Sequence, residues 1–342
     1  MHKFIRSKSP LRLGFAGGGT DVSPYSDIYG GAILNATINL YAQTSIQPLE
    51  NNQIIIESVD RKECEVFDAA RSLPINGKND LVKGIYNRLV QDYIKKPLSF
   101  RLTTHVDVPV GSGLGTSSSL VISILSAFVQ WQKLPLGEYE IAHLAYEIER
   151  FDLKMAGGKQ DQYAAAFGGV NFMEFYANDK VIVNPLRVKS EHLFELENNL
   201  VLYFTSTTRL SSTIIESQSK NVRSENKKSL EAMHHLKEQA INMKEALLRG
   251  KINDIGEILD YGFQFKKQMA EGISNPLIEE IYDAVKKAGS TGGKISGAGG
   301  GGFMFFYCPG NTRYKVLETL QSFSGFCRDF QFTNNGHFSW II

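Results

Sequence analysis

The stretch Pro109-Val-Gly-Ser-Gly-Leu-Gly-Thr-Ser-Ser-Ser119 decides how this chain is read. Before it, Phe100-Arg-Leu-Thr-Thr-His105 alternates as a strand does. After it, Leu120 to Trp131 is apolar and free of Gly and Pro, as a buried helix is. A loop with so little side-chain bulk lets backbone N–H groups close around an anion. The helix that follows adds unpaired N–H groups and about half a positive charge at its N-terminus. The spacing therefore predicts a phosphate cradle. Thr116, Ser117, Ser118 and Ser119 add hydroxyls that can cap the helix or ligate a cation beside the phosphates.

Two familiar nucleotide signatures are excluded. The loop lacks the G-x-x-x-x-G-K-[ST] spacing, and Gly289-Ser-Thr-Gly-Gly-Lys294 also misses it and runs into Ile295. Thr116 stands where a dinucleotide fingerprint needs its third glycine. A literal G-x-G-x-x-G at Gly297, Gly299 and Gly302 leads into Phe303-Met-Phe-Phe-Tyr307, a strand pattern where that motif requires a helix.

A chain of 342 residues is long enough for one large domain or two smaller ones. The net charge of +1, with charges well mixed, favours neither nucleic acid nor an anionic membrane. Cys64, Cys308 and Cys327 form no C-x-x-C pair, and an odd number argues against a disulfide framework. The first residues carry no apolar leader, and no apolar run reaches membrane-spanning length. The expected location is the reducing cytoplasm.

The pattern along the chain predicts strands near 11–15, 32–38, 40–46 and 53–59. A helical stripe follows over 81–94, then helices over 138–150 and 159–167 and a strand over 170–175. Residues 185–199 read as weakly patterned and polar. Beyond them come a buried strand at 200–204, helices near 225–249, 252–271 and 276–288, and an alternating tail of strands and helix. The expectation is an α+β chain of two lobes, 1–185 and 186–342.

Three glycine-rich segments, 17–19, 111–115 and 297–302, each lie beside a strand, which suggests either backbone converging on one ligand or tight packing at lobe junctions. Arg12 sits on a strand face with Gly14, and such an Arg wants a carboxylate or phosphate partner. Asp21 can take hydrogen bonds from sugar hydroxyls or hold a turn. Asp161 opens a short helix after Gly157-Gly158, as a cap or as a functional carboxylate. Glu149 and Asp152 read alone as a solvated helix face. His234 and His235 lack ligand-spaced partners and read as solvated or structural.

Taken together, Pro10-Leu-Arg-Leu-Gly-Phe-Ala-Gly-Gly-Gly-Thr-Asp21, the loop at 109–119 and Lys294-Ile-Ser-Gly-Ala-Gly-Gly-Gly-Gly302 resemble, in order and spacing, the three motifs of the GHMP kinases. The resemblance spans nearly the whole chain. Within that family, Phe15-Ala-Gly-Gly-Gly-Thr-Asp21 and Gly157-Gly-Lys-Gln-Asp-Gln-Tyr-Ala-Ala-Ala-Phe-Gly-Gly169 look most like the branch acting on D-glycero-D-manno-heptose 7-phosphate. Galactokinases carry a Glu-His pair where this chain has Gly18 and Gly19. Fucokinase-like members carry Trp near Gly19 and are the nearest competitor.

The resemblance implies a two-lobed GHMP kinase fold, with a ribosomal protein S5 domain 2-like N-terminal lobe and a ferredoxin-like C-terminal lobe. It implies ATP and Mg²⁺, a small sugar phosphate as acceptor, and no nucleic-acid or membrane partner. Asp161 would be the general base and Arg12 its partner. Pro109, Gly111, Ser112, Gly113, Leu114, Gly115, Thr116, Ser117 and Ser118 would hold ATP, and Ser117 or Thr116 with Glu149 would hold the metal. Asp21, Gly18, Gly19, Gly299 and Gly300 would line the sugar site, with Lys159 and Arg209 as candidates for the distal phosphate. Two alternatives stay open: a kinase of another sugar such as fucose, and a protein that senses ATP and sugar without turnover.

Overall fold

The alternating apolar runs assemble into two sheets in a computed structural model that describes residues 4–207 and 211–342. The first contains β1 (Ile5–Ala16), β2 (Gly31–Pro48), β3 (Gln53–Ser58), β4 (Glu63–Asp68), β5 (Phe100–Val106), β6 (Val170–Phe175) and β7 (Val181–Pro185). The second contains β8 (Leu200–Phe204), β9 (Gly292–Ile295), β10 (Phe303–Tyr307) and β11 (Phe326–Cys327). The last strand, β12 (Phe338–Ile341), returns to the first sheet and pairs with β1. The order is β12-β1-β2-β5-β3-β4, with β6 and β7 branching from β2, and β11-β8-β10-β9 in the second sheet. All pairings are antiparallel except β3 with β5.

The two strand runs expected within 31–48 are one long strand. Pairing with β1 shifts register between Pro10↔Tyr41 and Leu11↔Ile38, so the irregularity falls at the break in the apolar pattern. In the second sheet, alternate residues feed two cores. Leu200, Leu202 and Phe204 join the large core with Phe303, Phe305 and Tyr307, while Val201 and Tyr203 join the smaller one with Met304 and Phe306. Burial on both faces explains why these strands are continuously apolar.

Three expectations need correction. Residues 185–199 hold the end of β7 and a helix, Ser190–Asn199, whose weak pattern reflects one fully committed apolar anchor, Leu196. In the tail expected to alternate strands and helix, the strand that begins at Phe326 is two residues long. The chain then leaves for the first sheet, where Thr333 N–H donates to Thr37 O at 3.0 Å. This tail therefore sits with the first sheet, whereas the division at 185/186 groups it with the second lobe. A positional cause underlies it: hydrogen bonding to β1 and β2 closes an edge that would otherwise be bare.

The helix after the glycine loop, Thr116–Gln132, packs on β1 and β2. Its neighbour Glu138–Glu147 ends in a π-helical turn, Ile148–Asp152, closed by Leu153 N–H to Ile148 O at 2.9 Å. The short helix Gln160–Phe167 completes this wall. From the second lobe, Lys227–Leu248 packs on β1 and β2, and Asp254–Met269 packs on β9. The cleft where these walls meet contains the site.

Candidate active site

A cavity of about 540 Å³ opens between the lobes, and residues from all three glycine segments line it: Gly18 and Gly19, Gly111, Gly113 and Gly115, and Gly297. The convergence is enforced by close backbone approach. A Cβ at Gly113 (φ +79°) would lie 2.6 Å from Ser296 O, and one at Gly297 would lie 2.8 Å from Gly113 Cα. Ser296 Oγ donates to Gly113 O at 2.9 Å, and Phe303 N–H donates to Ser112 O at 2.8 Å. Strand β1 is tied to the same loop by Arg12 N–H donating to Leu114 O at 3.1 Å.

Arg12 is buried and reaches across the loop. Its Nη1 donates to Gly113 O at 2.7 Å, while Nε and Nη2 both hold Asp161 Oδ1, at 2.8 and 2.7 Å. Asp161 Oδ2 carries no hydrogen bond among the described residues, and the side chain is a quarter exposed to the cavity. A carboxylate held by one oxygen with the other open can accept a proton from a hydroxyl placed against it. A Cβ at Gly115 would sit 3.3 Å from Asp161 Cγ, so this open oxygen lies directly against the glycine loop.

The π-helical turn carries Glu149 into the interior, where it is 1% exposed. Ser118 Oγ donates to Oε2 at 2.8 Å, and Gln162 Nε2 donates to the same oxygen. Among the described residues, Oε1 receives only Ser117 Oγ, at 3.2 Å. Ser117, Thr116 and Glu149 all line the cavity. A carboxylate oxygen and a hydroxyl are hard donors of the kind magnesium takes when phosphates and water complete its shell, so the residues present fit that ion.

Asp21 lies under the start of the helix that bears Asp161. Its Oδ2 accepts from Lys159 N–H at 2.9 Å and Gln160 N–H at 3.1 Å, and its Oδ1 accepts from Gly19 N–H at 3.3 Å. Burial raises its pKa, these backbone donors oppose the rise, and the nearby Asp161 charge adds to it. Arg61, Arg150 and Lys154 also line the cavity, and two lysines of the second lobe reach it. Lys266 donates to Gly297 O at 2.5 Å and Lys294 to Gly14 O at 2.8 Å, and both are almost fully buried.

Residues 80–169 match the GHMP kinases N terminal domain, and residues 243–324 match the GHMP kinases C terminal domain. Over 340 residues the chain is 50% identical to the D-glycero-alpha-D-manno-heptose 7-phosphate kinase of Campylobacter jejuni, covering 99% of this chain and 100% of that one. The chain is a GHMP kinase. A solved structure described as a D-glycero-D-manno-heptose 1-phosphate kinase from Bacteroides thetaiotaomicron is 47% identical, with a TM-score of 0.83 and 98% of each chain covered. The L-fucokinase/L-fucose-1-P guanylyltransferase of Bacteroides fragilis is 28% identical over 89% of this chain and 34% of that one. Lactococcus lactis galactokinase, at 18% identity and a TM-score of 0.80, shares the fold.

The kinase's structure sorts the residues expected from its sequence. Arg12, Asp161, Glu149, Asp21, Gly18, Gly19, Gly111, Gly113, Gly115, Thr116, Ser117 and Ser118 share the cavity. Ser112 and Leu114 lie buried beneath the loop, Leu114 as part of the core, and exposed Pro109 is not among the lining residues. Gly299 and Gly300 face Ile273: a Cβ at Gly299 would meet Ile273 O at 2.7 Å, and Gly300 N–H donates to that oxygen at 2.8 Å. They make the tight packing that was the other reading of a glycine run. Lys159 does not line the cavity either. Its Nζ is buried against Asp179 at 2.8 Å and Asp27 at 3.4 Å. Arg209 lies outside the described residues.

Sequence reasoning missed Lys266, Lys294 and Gln160 as members of the site. Lys266 sits in an ordinary amphipathic helix, and nothing in its spacing marks it. Lys294 and Gln160 both lie inside glycine-rich motifs, but a lysine on a strand and a glutamine at a helix start carry no signal of their own. Asp152 pairs with Arg88 at 2.7 Å, as a helix-surface carboxylate does, away from the cavity.

Among the described residues, no helix is long and apolar enough to cross a membrane.

Proposed function

We propose that this GHMP kinase transfers the γ-phosphoryl of ATP to the anomeric hydroxyl of D-glycero-D-manno-heptose 7-phosphate. The product would be the 1,7-bisphosphate, a precursor of nucleotide-activated heptose for surface polysaccharide, made in the cytoplasm. The observation that carries the chemistry is the Arg12–Asp161 pair, whose open Oδ2 lies against the glycine loop in the shared cavity. The sugar is read from the full-length likeness to the Campylobacter jejuni heptose kinase.

In this reading the backbone N–H groups of 111–118 and the N-terminus of Thr116–Gln132 hold the β- and γ-phosphates. Val106, Val108, Val110 and Leu120 give the cavity an apolar end that suits the adenine. Asp161 Oδ2 takes the proton from the anomeric hydroxyl as its oxygen attacks γ-phosphorus, and ADP leaves in line. Arg12 keeps Asp161 aimed and stabilises charge on the moving phosphoryl. Ser117 with Thr116 and Glu149 Oε1 would hold Mg²⁺, which neutralises charge on the phosphate oxygens. Asp21 acts chiefly by capping the helix that presents Asp161, with Gly18 and Gly19 leaving room for the sugar. Gln160 Oε1, buried without a partner among the described residues, suits a sugar hydroxyl.

The test is ADP release with Mg-ATP over D-glycero-D-manno-heptose 7-phosphate, unphosphorylated heptose, fucose and galactose, with the phosphorylated carbon identified by phosphorus NMR. Turnover confined to the 7-phosphate, with phosphate added at C1, is the expected result. Turnover of fucose or galactose overturns the sugar assignment. ATP binding without turnover of any acceptor would favour a sensor.

A further inference from the structure

Lys266 and Lys294 come from two elements of the second lobe, the helix Asp254–Met269 and strand β9, and meet over Gly18. A Cβ placed on Gly18 would lie 3.6 Å from Lys266 Nζ and 3.9 Å from Lys294 Nζ, so one point in the cavity is within reach of both ammonium groups. Each ammonium has three N–H donors, and each spends one on a backbone carbonyl, Gly297 O or Gly14 O. Among the described residues neither forms an ion pair, although they are 3% and 5% exposed. Arg12 adds a third positive group beside them, and its carboxylate partner Asp161 already answers that charge. Asp21 and Asp161 offset the Lys266 charge only from beyond ion-pairing distance, and two buried ammonium groups so placed are costly, so an arrangement of this kind calls for an anion from outside the chain. Burial first, and then their mutual repulsion and the Arg12 charge, push the Lys294 pKa down, which is the signature of a site short of negative charge.

We propose that Lys266 and Lys294 form a two-ammonium site for a phosphate dianion, with Gly18 kept free of a side chain to admit it. This inference rests on the kinase reading above and names a specificity device within that cavity. The dianion has two possible sources, the phosphoryl group in transfer and the phosphate the sugar brings with it. Both are recognised by the same chemistry, charge-assisted N–H···O bonds in a water-poor pocket. Neither Lys159, which is spent on Asp27 and Asp179, nor the glycine loop supplies that chemistry at this end of the cavity.

The experiment compares wild type with Lys266→Met, Lys294→Met and Gly18→Ala. Steady-state constants are measured for ATP, heptose 7-phosphate and unphosphorylated heptose, alongside the shift in thermal midpoint caused by inorganic phosphate. Gly18→Ala is included because its methyl group meets only ordinary contacts and leaves both lysines in place. Losing a charge-assisted bond should cost roughly tenfold to a hundredfold in kcat/KM. A loss larger on heptose 7-phosphate than on the unphosphorylated sugar assigns the site to the sugar's phosphate. An equal loss on both, appearing in kcat, assigns it to the phosphoryl in transfer. The proposal is overturned if folded variants stay within twofold of wild type on every constant and keep the phosphate-induced shift. If wild type turns over no heptose phosphate yet shows a phosphate shift that all three variants lose, the sugar assignment fails and the anion site stands.

Discussion

Replacing Gly158 by Ala is the sharpest probe of how the site is held, because it touches no reacting group. A Cβ at Gly158 would lie 1.9 Å from Asp21 Oδ2 and 2.4 Å from Asp21 Cγ, so the carboxylate must move. Moving it breaks the bonds from Lys159 and Gln160 N–H, at 2.9 and 3.1 Å, yet leaves a 2%-exposed carboxylate in place. The expected loss is that of an uncompensated buried polar group plus two charge-assisted bonds, about 2–4 kcal/mol. Asp21→Asn should cost less, within about 1 kcal/mol, because it retains an acceptor oxygen and removes the charge that burial penalises. The decisive measurement is a double-mutant cycle in urea: if the harm comes through Asp21, Gly158→Ala on an Asp21→Ala background should lose at least about 1 kcal/mol less than on wild type. Turnover should fall with it, because Asp161 is one residue past the capped N–H of Gln160, and a displacement of about 1 Å at the chemistry can cost roughly a hundredfold. Additive stability changes, or a Gly158→Ala enzyme with wild-type kcat, would refute the claim that Asp21 positions Asp161.

Other substitutions separate the remaining roles. Asp161→Asn should lower kcat roughly 10²–10⁴-fold with ATP affinity near wild type in a nucleotide titration, whereas retained turnover would remove it as the base. Glu149→Gln should raise the Mg²⁺ concentration needed for half-maximal rate, and an unchanged metal dependence would sink that assignment. Gly113→Ala, with φ at +79° and its Cβ 2.6 Å from Ser296 O, should pry the phosphate loop from the third glycine segment and weaken ATP binding, read as a raised KM for ATP. Burial, and then Arg12, push the Lys266 pKa down to about 8, with Asp21 and Asp161 opposing and Lys294 as its other charged neighbour. Above pH 8 the unfolded chain therefore keeps a proton the folded one has lost, so stability relative to Lys266→Met should rise between about pH 8 and 10, by at most about 3 kcal/mol, and stay flat below 8.

The parts of the site that were legible in the sequence are those whose chemistry is carried by backbone. Glycines that must adopt positive φ or allow chains to touch, as Gly113 and Gly297 do, cannot be replaced by anything else, so they appear as runs. Arg12 and Asp161 stand out in the sequence beside such runs, Arg12 as a strand arginine that wants an anionic partner and Asp161 as a cap or a functional carboxylate, and only the likeness to a family pairs them. Glu149 read as a solvated helix face, and only the likeness to a family lifted it out. The π-helical turn at 148–152 breaks the 3.6-residue phase that face would follow and turns the carboxylate inward to Ser117 and Ser118.

Where the reading failed, the deciding fact was a partner far away in sequence. Lys159, two residues from Asp161, is with Arg209 a candidate for the phosphate-binding cation by sequence, but Asp27 and Asp179 neutralise it from two other segments. Lys266 is more than a hundred residues from any catalytic motif except the third, and its helix shows the same amphipathic pattern with or without a function. What distinguishes the two lysines is whether the fold brings a carboxylate within ion-pair distance, and local periodicity says nothing about that. The second lobe thus contributes to this cavity the lysines Lys266 and Lys294, while the first contributes Arg12, Asp161 and the glycine loop. An acceptor seated in the cavity would touch residues of both lobes, so its charge and not only its hydroxyls would bear on how tightly it is held.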